Sequence, residues 1–220
     1  MPTNASPQFA ELQEAFRLYS NEHFCPGTPL AAVAIECAEL LRELAFLDRS
    51  IVEAFGRASQ DHMAEMQSLI DMAIEKDPDS DFARAVRQHP HLVQSAVGYT
   101  QPGFGSANGT SSDVLLRLQT DTASFYQKAH RMLHLMQDLP ALETVRCDEI
   151  MIVRNQLIEH AGTGSSNRTD WSFGFATGRG PQVRPLVVGG APPSHVDAGY
   201  FPNRDALLTA LQSIKTAATA

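Results

Sequence analysis

The most constraining feature of this sequence is an amphipathic stripe that runs through residues 29–56. Apolar side chains recur there every three or four positions, which is the spacing of one face of an α-helix. The stripe consists of Val33, Cys37, Leu40, Leu44, Leu47, Ile51 and Phe55. Pro29 suits the first turn of this helix, because a backbone N–H at that position has no partner within the helix. A long helix with one apolar face must be covered by other helices, so we predict a mainly α-helical, antiparallel bundle.

Other segments in the first half of the chain supply helices that can cover the stripe. Residues 8–20 and 60–76 each carry apolar side chains at helical spacing. The sequence Asp-Pro-Asp-Ser ends the second of these segments, and Ser80 is placed to cap a short helix that runs to about His89. Three helices are therefore predicted besides the one that carries the stripe.

The next part of the chain predicts a loop followed by two antiparallel helices. Gly98–Ser112 is rich in glycine and serine, which is typical of a connecting loop; a lid over a ligand is the alternative. Ser112 then begins a long helix that is predicted to run to about Leu139, where Pro140 ends it. We predict that residues 141–161 form the second helix of the pair and fold back against the first.

The last quarter of the chain shows a different period. Trp171–Phe175 and Val183–Val188 flank a glycine-rich turn and predict a small β-hairpin. Asn203 is placed to cap a final helix. We therefore predict a helical bundle over residues 1–162, and a C-terminal appendage of hairpin and helix, packed on the bundle, over residues 163–220.

Charge and cysteine usage narrow the classes of function. The net charge of −8 over 220 residues argues against a broad nucleic-acid-binding surface, so any such site must be a local cleft. The three cysteines, Cys25, Cys37 and Cys147, are odd in number and widely spaced, which predicts free thiols in a reducing compartment. No long apolar run and no signal-peptide layout is seen, so we expect a cytoplasmic protein without a membrane span.

One cation stands out in residues 147–161 of the predicted helix 141–161. At about 100° per residue, Arg154 falls in the middle of the apolar face of this helix. A permanently charged side chain in such a position needs a partner, because burial of an unpaired charge is costly. Arg154 therefore either pairs with a carboxylate of a facing helix or opens into a cleft. Glu36 and Glu43, at the edge of the stripe, are the candidate partners.

The segment Val-Arg-Asn-Gln-Leu-Ile-Glu-His contains Arg154, Asn155 and His160. This Arg-Asn-x4-His arrangement at the end of an apolar helix resembles the HEPN superfamily, whose pattern is Arg, a polar residue, and His some four to six positions on. The resemblance implies a small all-α bundle, usually a homodimer in which two motifs meet across the axis. Active members are metal-independent endoribonucleases, among them toxin and phage-defence proteins, and others are non-catalytic modules. RNA and a protein partner such as an antitoxin are the expected ligands.

The three motif residues have coherent roles in RNA cleavage. His160 suits acid–base work near neutral pH, Arg154 suits binding of phosphate, and Asn155 can position the phosphate or the histidine. This chemistry needs no metal and no cofactor. Arg154 and His160 are six positions apart, which corresponds to about 120° around a helix and about 9 Å along it. Two side chains at this spacing on one helix do not converge. Fraying at the end of the helix, or a second copy across a two-fold axis, would bring them closer together. The nuclease hypothesis therefore predicts a dimer.

A non-catalytic reading uses the same residues differently. Arg154 then forms a buried salt bridge to Glu36 or Glu43, while Asn155 and His160 are ordinary capping or surface residues, and the chain acts as a dimerisation or partner-binding module. Some toxin members of the family carry a tyrosine two positions beyond the histidine, where this chain has a glycine. Regulation through that tyrosine is therefore not expected here.

A histidine pair on the long helix offers a further possibility. His130 and His134 are four residues apart, a spacing at which two histidines can share a metal. The His-Glu-x-x-His pattern of zinc proteases is missing. We therefore interpret these two residues as surface histidines and predict no metal site.

Overall fold

The computed structural model describes residues 6–89, 112–159, 170–176, 180–186 and 199–219. Within these ranges the chain forms seven helices and two strands. The helices are α1 Gln8–His23, α2 Pro29–Lys76, α3 Asp81–Gln88, α4 Ser112–Met136, α5 Asp148–Glu159, α6 Tyr200–Ala210 and α7 Ser213–Ala217. The strands are β1 Asp170–Ala176 and β2 Gly180–Leu186. The prediction of a mainly α-helical protein is confirmed.

Helix α2 is one continuous helix of 48 residues, where the sequence predicts two. Its start agrees with the prediction: Thr28 Oγ1 accepts a hydrogen bond from Ala31 N at 3.2 Å, and Pro29 occupies the first turn. The predicted break after residue 56 is wrong. Gly56 lies in the helix interior, where a glycine costs about 1 kcal/mol relative to alanine but leaves the hydrogen-bond ladder intact.

The core forms where α1 and α4 pack against α2. The apolar stripes predicted for α1 and α4 are buried, and so is most of the stripe of α2. The shared core includes Phe9, Leu12, Phe16 and Tyr19 from α1, Cys37, Leu40, Leu44, Leu47 and Ile51 from α2, and Leu118, Phe125, Ala129, Met132 and Met136 from α4. Val33 and Phe55 lie at the margin of this core.

The segment between α4 and α5 is not helical, although the sequence predicts that helix begins again at residue 141. Ala141 has a φ of 62°, which a right-handed helix does not allow. Short-range turns replace the helix, and Leu142 N donates to Leu139 O at 3.1 Å. Leu139, Leu142 and Val145 are buried and hold these turns against the core. Helix α5 therefore begins only at Asp148.

Strands β1 and β2 pair antiparallel, with Phe173 opposite Val183. They cover the segments for which the sequence predicts a hairpin; the residues between them, 177–179, lie outside the described ranges. Strand β2 contacts α4 and α6. Gly180 begins β2 with a φ of +73°, and an added Cβ there would lie 2.7 Å from the ring of Phe201, so this position requires glycine.

Helix α6 begins at Tyr200, and the prediction that Asn203 caps it is wrong. Asn203 lies within the helix and is buried, with its Nδ2 donating a hydrogen bond to the hydroxyl of Tyr126 at 2.9 Å. This hydrogen bond gives the buried side-chain N–H of Asn203 an acceptor on another helix. Pro202, in the first turn, is compatible with the earlier start.

Candidate functional site

Arg154 lies in an open groove that we call the α2–α4 groove. Helix α4 supplies the middle of the groove, α2 lies along one side, and Arg154 enters from α5. The groove has a volume of about 1170 Å³. Its charged and titratable lining residues are Glu36, Glu39 and Glu43 from α2, Lys128, His130, Arg131 and His134 from α4, and Arg154 from α5.

The helical repeat explains why α4 presents these side chains together. Phe125, Ala129 and Met132 form the buried side of α4. At 100° per residue, Gln127, His130 and His134 fall on the side of the helix that faces away from the core. A single amphipathic helix therefore anchors the bundle with one face and lines the groove with the other.

Arg154 is half-buried on the apolar face of α5. Its neighbours Ile150 and Val153 are buried in the core, so they fix the helix against α4 and set the position of the arginine. The sequence leaves open whether Arg154 is sealed against a facing helix or opens into a cleft, and in the structure it lines the open groove. Glu36 and Glu43, its candidate partners, line the same groove.

Two ion pairs connect α2 and α4 along the groove. Glu43 Oε2 lies 2.6 Å from Nζ of Lys128, and Glu36 forms an ion pair with Arg131. Glu39 forms its ion pair within α2, where Oε1 lies 3.7 Å from Nη2 of Arg42. The side of the groove next to α2 is therefore close to neutral, even though two of the α4 cations lie there.

His130 lies near Arg154 on the other side of the groove. The pKa of His130 is lowered, first by partial burial of the ring, then by the positive charge of Arg154 and by His134. A lowered pKa keeps the imidazole neutral at neutral pH, so that it can accept a proton. Within the described ranges, no group of three or more His, Cys, Asp or Glu residues could hold a metal ion.

The structure describes the other two motif residues only in part. Asn155 belongs to α5, but its side chain lies outside what is described, and so does the whole of His160. Their roles, and their convergence with Arg154, stay predictions. His130 and His134, which the sequence predicts to be surface residues, both line the groove of Arg154, and this role was not predicted. The available signal was their position on the polar side of α4, combined with the antiparallel packing of α4 and α5.

A second polar cluster is buried between α2 and α6, and the sequence reasoning missed it. Asp48, only 1% exposed, accepts hydrogen bonds from Tyr200 Oη at 2.8 Å and from Ser6 N at 2.8 Å. Nη1 of Arg204 lies 3.4 Å from the same carboxylate, and Arg204 also pairs with Asp205 at 2.9 Å. We call Asp48, Tyr200, Arg204 and the backbone of Ser6 the Asp48 cluster.

The Asp48 cluster is sealed from solvent and serves the fold. Burial raises the pKa of Tyr200, and the negative charge of Asp48 raises it further, so the hydroxyl stays protonated and donates its hydrogen bond. Arg204 also lies over the ring of Phe201, at 5.1 Å from its centroid. These contacts attach α6 to the middle of α2.

Comparison with family models, curated proteins and solved structures finds no match for this chain. The resemblance to the HEPN superfamily therefore depends on the Arg154, Asn155 and His160 motif alone. No helix in the described part of the chain is both long and apolar enough to cross a membrane.

Proposed function

We propose that this protein is a metal-independent endoribonuclease of the HEPN type and that the α2–α4 groove is its substrate site. The observation that carries the proposal is the position of Arg154 in an open groove beside a histidine that burial and charge keep neutral. An arginine there can bind a phosphate, and a neutral imidazole there can accept a proton. The motif residues Asn155 and His160 complete the proposed site.

The proposed reaction is an internal transfer at phosphorus. The ribose 2′-oxygen attacks the phosphorus and gives its proton to a histidine, either His160 or His130. The bond from phosphorus to the 5′-oxygen breaks, and the leaving oxygen takes a proton from a second acid. The products are a 2′,3′-cyclic phosphate and a 5′-hydroxyl, and no metal takes part. Arg154 stabilises the negative charge that develops on the phosphoryl oxygens.

The form of the groove suits a chain better than a small molecule. Pockets for small ligands enclose most of the ligand within roughly 300–1,000 Å³. The α2–α4 groove is larger, at about 1170 Å³, and open to solvent. A single-stranded RNA can lie along such a groove with its phosphates towards the cations of α4 and α5. A homodimer, which the family pattern predicts, would place a second groove nearby.

The proposal is tested by RNA cleavage in EDTA. Wild type is compared with Arg154→Ala, His160→Ala and His130→Ala, with Arg57→Ala as a charge-matched control, because Arg57 is an exposed residue of α2 outside the groove. Thermal melts establish that each variant is folded. We expect cleavage by wild type and by the control, and loss of cleavage in folded Arg154→Ala. Equal cleavage by Arg154→Ala would contradict the proposal.

A second candidate function is a non-catalytic partner-binding module, such as the partner of an antitoxin-like protein. The observation that favours it is the outward surface of α2, where Ile35 is 61% exposed and Phe46 is 65% exposed. The two side chains are eleven residues apart, about three helical turns, and therefore lie on the same face of α2, where a partner protein could cover both. If wild type cleaves no RNA, and Phe46→Ser lowers the oligomeric state in sedimentation experiments, the module is the better description.

A further inference from the structure

The cations on the α2 side of the groove already have anionic partners from the same chain. Lys128 pairs with Glu43, and Arg131 pairs with Glu36. The two glutamates are two helical turns apart on α2, and the order of the pairs follows the antiparallel packing of α2 and α4. A carboxylate beside a lysine or an arginine occupies the place that a phosphate oxygen takes in a nucleic-acid complex.

We propose that Glu36 and Glu43 hold the phosphate-binding cations of the groove in the free protein, and that a single-stranded RNA binds by displacing both carboxylates. This inference rests on the proposed function, since it takes the groove as the RNA site. It adds a regulatory device, namely an internal competitor that weakens RNA binding. The acidic side chains therefore set the affinity of the groove and do not exclude RNA from it.

The exposure of the pairs makes the exchange feasible. The side chains of Lys128 and Glu43 are 36% and 46% exposed, and those of Arg131 and Glu36 are 67% and 38% exposed. Ion pairs this accessible to water are weak and screened by salt. A released glutamate regains its hydration at the open edge of the groove, so displacement leaves no charge buried without a partner.

The displacement proposal also explains how a protein with a net negative charge could bind RNA in this groove. With a net charge of −8, the protein repels polyanions at a distance. The two glutamates extend this repulsion into the site, so that RNA binds only where it makes several phosphate contacts at once. In wild type, each phosphate that binds Lys128 or Arg131 frees a carboxylate, and this carboxylate takes up a salt cation that offsets the cation released from the phosphate. Removal of the two carboxylates should therefore increase the net number of cations released when RNA binds.

The test measures RNA binding as a function of salt for two matched double variants. Glu36→Gln/Glu43→Gln releases Lys128 and Arg131. Glu53→Gln/Glu75→Gln changes the net charge equally on the same helix, at two exposed residues that lie outside the groove. The probe is a fluorescent single-stranded RNA with 2′-O-methyl groups, which cannot be cleaved through the 2′-oxygen, and the measurement is anisotropy between 50 and 300 mM salt.

The expected result is a change in the salt slope. Each phosphate contact whose cation release is not offset steepens the plot of log K against log salt by about 0.7 for a single strand, so Glu36→Gln/Glu43→Gln should steepen it by about 1.4. Its affinity at low salt should rise by roughly tenfold. The control pair should leave the slope unchanged. Addition of Lys128→Gln and Arg131→Gln to the first variant should return the slope to that of wild type.

Each outcome decides between the two proposals. An unchanged slope, or the same gain in the control pair, would overturn the displacement proposal even if wild type cleaves RNA. A steeper slope with no cleavage by wild type would overturn the endoribonuclease proposal and leave the displacement proposal standing. Thermal melts of all variants guard against a loss of fold, and the exposed positions of the glutamates make that loss unexpected.

Discussion

Helix α2 forms carboxylate–cation pairs in two regions that differ in their access to water. In the Asp48 cluster the side chains of Asp48 and Arg204 are 1% and 10% exposed. In the α2–α4 groove the side chains of Glu43 and Lys128 are 46% and 36% exposed. The chemical groups are similar, but the buried pair has replaced its water by fixed protein partners, whereas the groove pairs remain partly hydrated.

The difference in exposure separates a structural from an exchangeable role. Charges that are buried together depend on each other, because loss of one leaves the other without water and without a partner. Exposed pairs contribute little to stability, and either member can be taken over by a ligand. We therefore expect substitutions in the Asp48 cluster to change folding, and substitutions in the groove to change binding.

Removal of the buried carboxylate should have the largest effect. We expect Asp48→Ala to lower the free energy of unfolding by about 3–5 kcal/mol, because Arg204 and Tyr200 lose their shared acceptor. Glu43→Ala, the exposed counterpart on the same helix, should cost less than about 1 kcal/mol. Denaturant titrations followed by circular dichroism measure both values. Similar costs for the two variants would remove the distinction between the regions.

Loss of a single hydrogen bond should have a smaller effect that depends on the charge of the acceptor. Tyr200 Oη donates to the carboxylate of Asp48 at 2.8 Å, whereas Tyr19 Oη donates to the neutral carbonyl of Pro140 at 2.6 Å. We expect Tyr200→Phe to cost about 1.5–3 kcal/mol and Tyr19→Phe about 0.5–1.5 kcal/mol. The same denaturant titrations compare them. A larger loss in Tyr19→Phe would show that the carboxylate adds nothing to the hydrogen bond of Tyr200.

The three thiols of the chain should also differ in reactivity according to their burial. Cys37 follows Glu36 in sequence but points into the core, and burial raises its pKa from 9.0 to about 12. Burial likewise raises the pKa of Cys147 to about 11, whereas Cys25 is exposed. At pH 8 we expect iodoacetamide to modify Cys25 readily, and Cys37 and Cys147 only after denaturation. Mass spectrometry of the intact protein gives the count.

The raised thiol pKa values also set a direction for stability against pH. A group whose pKa is higher in the folded state contributes stability that is complete below its unfolded pKa, and loses it as pH rises through the folded pKa. The contribution of Cys37 and Cys147 should therefore decline above about pH 9. Substitution of both by Ala should flatten this alkaline decline of the melting temperature. An unchanged decline would show that other groups cause it.

The smallest predicted effect is the titration of one histidine in the groove. Burial, followed by the charges of Arg154 and His134, lowers the pKa of His130 below the ordinary value of 6.5 for histidine. We expect the ring signals of His130 in NMR spectra to titrate below pH 6.5 and to shift towards higher pH in Arg154→Gln, because one of the repelling charges is gone. His134→Gln should move the midpoint in the same direction. An unchanged titration midpoint of His130 in Arg154→Gln would contradict the proximity of His130 and Arg154.

The helical part of the fold is predictable because its signal is local. The apolar stripes of α1, α2 and α4 follow the period of 3.6 residues and become the core. The predicted break in α2 fails because Gly56 weakens a helix without interrupting its hydrogen bonds. The prediction that α5 begins at residue 141 is wrong because Leu139, Leu142 and Val145 have helical spacing, and are buried, although the segment that contains them forms turns.

The site is predictable only in part because its geometry depends on distant segments. The Arg-Asn-x4-His pattern indicates that Arg154 is a candidate site residue. The apolar face of its helix indicates that this charge lies close to the core and needs either a partner or access to solvent. The pairing of Glu36 and Glu43 with α4 cations, and the presence of His130, depend on the packing of α4 against two other helices. Asp48 meets Arg204 across 156 residues of sequence, and a single carboxylate in a helical stripe carries no sign of that partner.

The most direct test of a metal-independent cleavage site in the groove uses one oligonucleotide sequence in two forms. Wild type and folded Arg154→Ala are incubated in EDTA with single-stranded RNA and with its all-2′-deoxy counterpart. We predict that wild type cuts only the RNA and leaves a 2′,3′-cyclic phosphate, and that Arg154→Ala cuts neither. Intact RNA with wild type, or cleavage of both forms, would contradict the proposed chemistry.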